Sequence, residues 1–225
     1  MLIRAVTAGA VLVATVATAA PASADTGISG GKSYTVTMTS LDGVTPKGFG
    51  HWRMKAGLLA GGEPAVIESF NAASQASAQN VIDSVCADAP NDLAWDFESE
   101  THVAFRSLAI GQVISGTWSA EMRAQVIRYV GTVVVDSRSG QPIEVVDLFT
   151  DHRRGLDRLA EQTKILTNYD GLAATPENFA NWIPTADGIE LHFPSSLLFS
   201  PPAITVPWSE LTDVLAPDMV GLAQA

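Results

Sequence analysis

Two neighbouring stretches decide the fold: Trp95-Asp96-Phe97-Glu98-Ser99-Glu100-Thr101-His102-Val103 and Ala109-Ile110-Gly111-Gln112-Val113-Ile114-Ser115-Gly116-Thr117-Trp118. In the first, Trp95, Phe97, Ser99, Thr101 and Val103 alternate with Asp96, Glu98, Glu100 and His102, the period of a strand with unlike faces. The second reads as another strand after a short connection. Strands adjacent in sequence and joined by tight turns pair antiparallel.

Working outward, residues 33–40 alternate again, with Tyr34, Val36 and Met38 against serine and threonines. Residues 57–62 read as a loop, and Glu63-Pro64 opens a long helix, with proline in the first turn where its missing N–H is harmless. Val66, Ile67, Phe70, Ala73, Ala78, Val81, Ile82 and Val85 form its apolar stripe. Residues 88–92, containing Pro90, end it. Downstream, residues 125–136 read as a strand, 137–140 as a turn, and 143–146 as its hairpin partner. A helix is expected over 151–167. Asp187-Gly188 marks a turn between Trp182-Ile183 and residues 189–193. A short strand at 203–206 runs into a helix at 208–215. The expectation is an α+β fold, a mainly antiparallel sheet with a long helix in the N-terminal half and shorter C-terminal helices packed on it. It occupies residues 33–225 as a single domain.

The chain has 225 residues, 47% hydrophobic and 16% charged, with 13 basic and 24 acidic side chains and a formal charge of −11. The apolar fraction excludes a disordered chain, and the acidic balance excludes a nucleic-acid binder that must neutralise phosphates. One cysteine excludes an intramolecular disulfide and a cysteine-based zinc site. Residues 1–24 read as an export signal: Arg4, an alanine- and valine-rich stretch, then Ala22-Ser23-Ala24 as cleavage site. Removal of Arg4 leaves 12 basic against 24 acidic residues, a charge of −12. Residues 25–32 read as a flexible leader. The protein is expected to be secreted or held in the cell envelope, with no membrane span in the mature chain.

The C-terminal third carries an ordered series of motifs. Gln141-Pro142-Ile143 precedes Asp147-Leu148-Phe149 and the amphipathic helix; Asn178-Phe179-Ala180, Asp187-Gly188-Ile189, Phe193 and Val206-Pro207-Trp208-Ser209-Glu210-Leu211 follow. Over about 132–215 this resembles the C-terminal extracellular domain of the RsiV family. That family includes a lysozyme-sensing anti-sigma factor and an immunogenic protein secreted by mycobacteria. The resemblance implies no catalytic activity and a basic extracellular partner such as lysozyme. Family members often carry a Gly-Gly-x-His stretch before the hairpin; residues 119–131 here hold only Gly131 and no histidine.

Several groups invite chemistry. Asp96, Glu98, Glu100 and His102 stand on one strand face, alternate residues about 6.7 Å apart. Carboxylates about 6.5–9.5 Å apart suit an inverting glycosidase. The same row also suits docking of a basic partner, or a solvated face that discourages edge pairing. Gly27-Ile28-Ser29-Gly30-Gly31 matches G-x-S-x-G but lacks the strand-to-helix context of a nucleophile elbow. His51, His102, His152 and His192 show no metal-ligand spacing, and Asp151-His152 reads as a helix start. Cys86 falls near the helix stripe and reads as an inert thiol, with an intermolecular disulfide as the alternative. No cofactor and no metal are expected. The residues taken forward are Asp96, Glu98, Glu100 and His102, as the binding face of a secreted non-enzymatic protein. A cell-wall glycoside hydrolase and an envelope structural protein stand as alternatives.

Overall fold

The computed structural model describes residues 25–90, 92–120, 127–194 and 202–223. Six strands form the larger sheet in sequence order: β1 (Asp25–Ser29), β2 (Lys32–Val44), β3 (Gly50–Ala60), β4 (Trp95–Phe105), β5 (Ala109–Ala120) and β6 (Ile127–Asp136). Helix α1 (Pro64–Asp88) lies between β3 and β4, and α2 (His152–Thr167) follows β6. A second sheet contains β7 (Trp182–Pro184), β8 (Gly188–His192) and β9 (Ala203–Pro207). The architecture is α+β with a mainly antiparallel six-stranded sheet.

The expected leader is a strand. Residues 25–29 pair with β2 from Asp25↔Val36 to Ser29↔Lys32. Gly30 and Gly31 make the turn, with φ of 57° and 70°. A two-residue turn that matches the strand twist needs positive φ at both positions, which glycine adopts freely. The buried Ser29 hydroxyl donates to the carbonyls of Arg106 (2.5 Å) and Ala109 (3.3 Å). The G-x-S-x-G match is therefore a hairpin with a buried, engaged serine.

The first helix does not lead the chain, because three strands precede it. The expected loop at 57–62 is also mostly strand: β3 runs to Ala60, and only Gly61 and Gly62, both at positive φ, turn the chain. Helix α1 buries Val66, Phe70, Ser74, Ala78, Val81, Ile82 and Val85. Its C-terminal half packs with Met54, Trp95, Phe97, Ile114 and Trp118, and its first turns with Tyr34, Val36, Leu59 and Ile110. Gly131 lets helix and β6 approach, since a Cβ there would stand 2.6 Å from Ser77 Oγ.

Because α1 crosses over between them, β3 and β4 pair parallel, but only from Gly50↔Trp95 to Arg53↔Glu98. Beyond Arg53, side chains replace the ladder. The Lys55 N–H reaches Ser99 Oγ (3.3 Å), and its carbonyl accepts from Thr101 Oγ1 (2.6 Å). The Gly57 N–H donates to Gln112 Oε1 (2.8 Å), and its carbonyl accepts from Ser74 Oγ (2.8 Å). Leu59 exchanges both bonds with the Asn71 amide, at 2.7 and 3.1 Å. The edge of β3 is thus closed residue by residue, which satisfies buried backbone groups that would otherwise destabilise the fold.

After β6 the expected hairpin is cut short. Val135 bridges Pro142, and the Ile143 N–H donates to the Val134 carbonyl (2.9 Å). Residues Val145–Leu148 then form a 3₁₀ turn rather than a strand. The capping box between Glu144 and Asp147 starts this turn and draws the chain off the edge after Ile143. The expected helix at 208–215 reduces to a 3₁₀ turn at Trp208–Glu210. Helix α2 is capped by Asp151, whose carboxylate accepts from the Arg154 N–H, and by Asn168 in the left-handed conformation. The second core joins Ala109, Val113 and Val134 to Leu156, Leu159, Trp182, Ile183, Leu191, Phe193 and Trp208. The small sheet therefore covers the face of the large sheet opposite α1, at the end of β5 near Ala109. Among the described residues no helix is long and apolar enough to cross a membrane.

Candidate functional site

Burying Trp95 and Phe97 against α1 turns Asp96, Glu98, Glu100 and His102 to the other face of β4, where all four are exposed. Strand alternation fixes this, and the neighbouring strands obey the same rule. Met54 and Ala56 are buried on β3, so His51, Arg53 and Lys55 point outward beside the acidic row. Asp42 and Ser40 from β2, Ser115 and Thr117 from β5, and Arg128 from β6 complete the surface.

Register makes the arrangement a grid. Asp42 pairs with Arg53, Arg53 with Glu98, Glu98 with Thr117, and Thr117 with Arg128. This single line crosses five strands, about 19 Å at roughly 4.8 Å per strand spacing. A second line brings Ser40 to Lys55 and Glu100 to Ser115. The face frames a shallow cavity of about 690 Å³. Its charged lining is Asp42, Glu98 and Glu100 against Arg53, Lys55 and Arg128, so the acids do not stand alone. Arg53 and Lys55 escaped the sequence reading because they lie more than forty residues upstream and reach β4 only through the α1 crossover, and Arg128 because it lies two strands downstream on β6. The alternation of His51, Arg53 and Lys55 with Trp52, Met54 and Ala56 was the available signal.

At the other end of the row, His102 faces the second sheet. Glu190 of β8 lies 2.7 Å from His192 Nε2, an ion-pair distance whose geometry does not make a directed hydrogen bond. His192, and more weakly His102, hold the Glu190 carboxyl below its ordinary range against the opposing effect of burial. His102 thus belongs partly to the junction between the sheets, apart from the three carboxylates.

The glycosidase reading asked for a partly buried carboxyl in this row; Asp96, Glu98 and Glu100 are all exposed. Elsewhere, Asp151 acts as a helix cap and His152 is exposed at the helix start. Cys86 is half-buried, and burial followed by the nearby Asp83 charge pushes its thiol up. Trp95, Trp118, Trp182 and Trp208 are core residues. Among the described residues no three histidine, cysteine or acidic side chains are placed to hold a metal ion.

The fold is similar to that of a solved structure of the DUF3298 family. A member from Bacteroides fragilis superposes with a TM-score of 0.54 at 12% identity, over 86% of this chain and 98% of its own. A DUF3298 protein from Pseudomonas aeruginosa gives 0.49 at 12% identity, over 83% and 95%. No family model matches the sequence, and no curated protein does.

Proposed function

We propose that the protein is a non-enzymatic binding module that engages an extracellular macromolecule through the open polar face of the six-stranded sheet. The observation that carries this reading is the register line Asp42–Arg53–Glu98–Thr117–Arg128, left uncovered where the second sheet stops. Rigid strands hold these side chains at fixed spacing, and ordered charges of both signs favour orientation and choice of partner over raw affinity. The matching surface carries both signs as well. The RsiV resemblance of residues 132–215 supplies the probe, a cationic lysozyme-like protein, and the acidic net charge adds long-range attraction to it.

The test is calorimetric titration of residues 25–225 with lysozyme at low and moderate salt. Micromolar or tighter binding is expected, weakening as salt screens the attraction. The triple variant Asp96→Asn, Glu98→Gln, Glu100→Gln should weaken it about tenfold or more, since each exposed pair contributes up to about 1 kcal/mol. Absence of binding, or binding indifferent to the triple variant, refutes the assignment of this face. Turnover of cell-wall polysaccharide by the same sample would instead support the glycosidase alternative.

A further inference from the structure

The two open edges inside this fold are treated differently. Along β3, the backbone groups of Lys55, Gly57 and Leu59 are met by the side chains of Ser99, Thr101, Gln112, Ser74 and Asn71. Along β6, the chain's own cover stops early. The Asp136 N–H donates to the Gln141 carbonyl (2.8 Å) and the Val134 carbonyl accepts from Ile143 (2.9 Å). The chain then leaves the edge at Glu144 for a 3₁₀ turn.

Alternation carries the consequence down the strand. If Val134 and Asp136 direct their N–H and C=O away from β5, so do Thr132 and Val130. Among the described residues neither has a backbone partner on that side. The sequence there, Val130-Gly131-Thr132-Val133, has none of the lysine or proline with which exposed edges are usually blunted. Recession protects it instead. The edge lies in a groove of about 680 Å³, with α1 on one side and residues 142–146 and 176–182 on the other. The α1 wall is small and uncharged, with Ala73, Ala76 and Val81 beside Ser77, Asn80 and Ser84; the opposite wall holds Glu144 and Glu177, both exposed. Those two carboxylates, together with Arg128's absence from this lining, make the groove's own charge negative.

We propose that this groove accepts one extended peptide segment of a partner protein, added as a strand to β6. Its alternate residues are small and uncharged, such as valine, toward α1, and basic, toward Glu144 and Glu177. Strand addition draws affinity from main-chain hydrogen bonds and specificity from alternate side chains. The site is separate from the charged sheet face and does not depend on it.

The probe is the blocked peptide acetyl-Thr-Val-Lys-Val-Lys-Val-Thr-amide, titrated into residues 25–225 and followed by anisotropy of a labelled copy. Two further peptides carry N-methyl groups, one on the valine amides and one on the threonine and lysine amides. Binding is expected for the parent peptide. Methylation in one phase should weaken it at least tenfold, and methylation in the other should leave it within about twofold. Exchange of the Val130 and Thr132 amides with solvent should slow on binding. Charge removal by Glu144→Gln with Glu177→Gln, which keeps a side-chain oxygen to accept the backbone N–H that each carboxylate meets, should weaken the lysine peptide severalfold but spare an analogue with serine for lysine. Equal binding of both methylated peptides overturns the proposal, as does protection confined to the sheet face. A concentration-dependent dimer that protects the same two amides without peptide would overturn it in favour of a second copy of this chain.

Discussion

Gln112→Leu tests how the parallel half of the sheet is closed. Gln112 is fully buried, and its side chain reaches from β5 past Val103 to the backbone of β3, where Gly57, lacking a Cβ, leaves it room. Its Oε1 accepts from the Gly57 N–H (2.8 Å) and from Ser74 Oγ (3.1 Å), and its Nε2 meets the same hydroxyl at 2.9 Å. Leucine fills a similar volume, so the loss is chiefly polar. It orphans the Gly57 N–H in a dry interior, while Ser74 keeps its bond to the Gly57 carbonyl. One buried donor left unmet costs about 1–3 kcal/mol, and the lost serine contact about 1 more. The sum, about 2–4 kcal/mol, is a large fraction of ordinary domain stability, and at about 2–4 °C per kcal/mol it lowers Tm by roughly 5–15 °C. Urea unfolding of the parent, Gln112→Leu, Ser74→Ala and the double variant measures it. Because the two residues share one network, the double variant should lose at least about 0.5 kcal/mol less than the sum of the singles. A Gln112→Leu loss under about 0.5 kcal/mol, or strict additivity, would refute the view that this clamp stands in for a strand ladder.

Two other outcomes follow from the same geometry. The carboxyls of Glu190 and Asp136 are both held low, the first by His192; for the second, burial pushes up but the Arg138 guanidinium and backbone N–H groups prevail. A lowered folded value means stability present above the unfolded value and lost as pH falls through the folded one. Tm should therefore fall on acidification below about pH 4, and the Glu190→Gln, Asp136→Asn variant should show a shallower fall than the parent; parallel curves would contradict this. In the β1–β2 turn, both glycines are left-handed, but a Cβ on Gly30 would meet the Ser137 carbonyl at 2.7 Å whereas one on Gly31 meets nothing within 4 Å. Gly31→Ala should cost about 1 kcal/mol and Gly30→Ala at least about 1 kcal/mol more by denaturant unfolding, so equal losses would remove β1 from its assigned place.

Local alternation made several elements legible. The pattern from Trp95 to Val103 placed the carboxylates of β4 on one face, and the stripe from Val66 to Val85 together with Pro64 located α1. These are properties of a few consecutive residues, for which the backbone period dictates which side chains travel together. The elements misread are those whose form depends on distant contacts. Residues 25–29 look like a small polar tail, yet pairing with β2 and the burial of Ser29 against β5 make them a strand. Residues 143–146 have the composition of a strand but leave the edge at Glu144, and the 208–215 segment opens on a 3₁₀ turn as Trp208, Leu211, Val214 and Leu215 enter the second core.

The candidate site divides in the same way. Sequence alone determined that Asp96, Glu98 and Glu100 share a surface, because strand geometry leaves no other arrangement once Trp95 and Phe97 are buried. It could not say what stands beside them. The α1 crossover brings β3 alongside β4 in parallel, setting Arg53 opposite Glu98, and turns an acidic stripe into a grid of both signs. Only tertiary structure decided, too, that the edge of β3 is sealed by side chains from three elements while the edge of β6 at Val130 and Thr132 lies recessed, without a backbone partner among the described residues. Hydrogen-bond satisfaction of a strand edge is a property of whatever packs against it, and that neighbour is chosen by the folded chain as a whole.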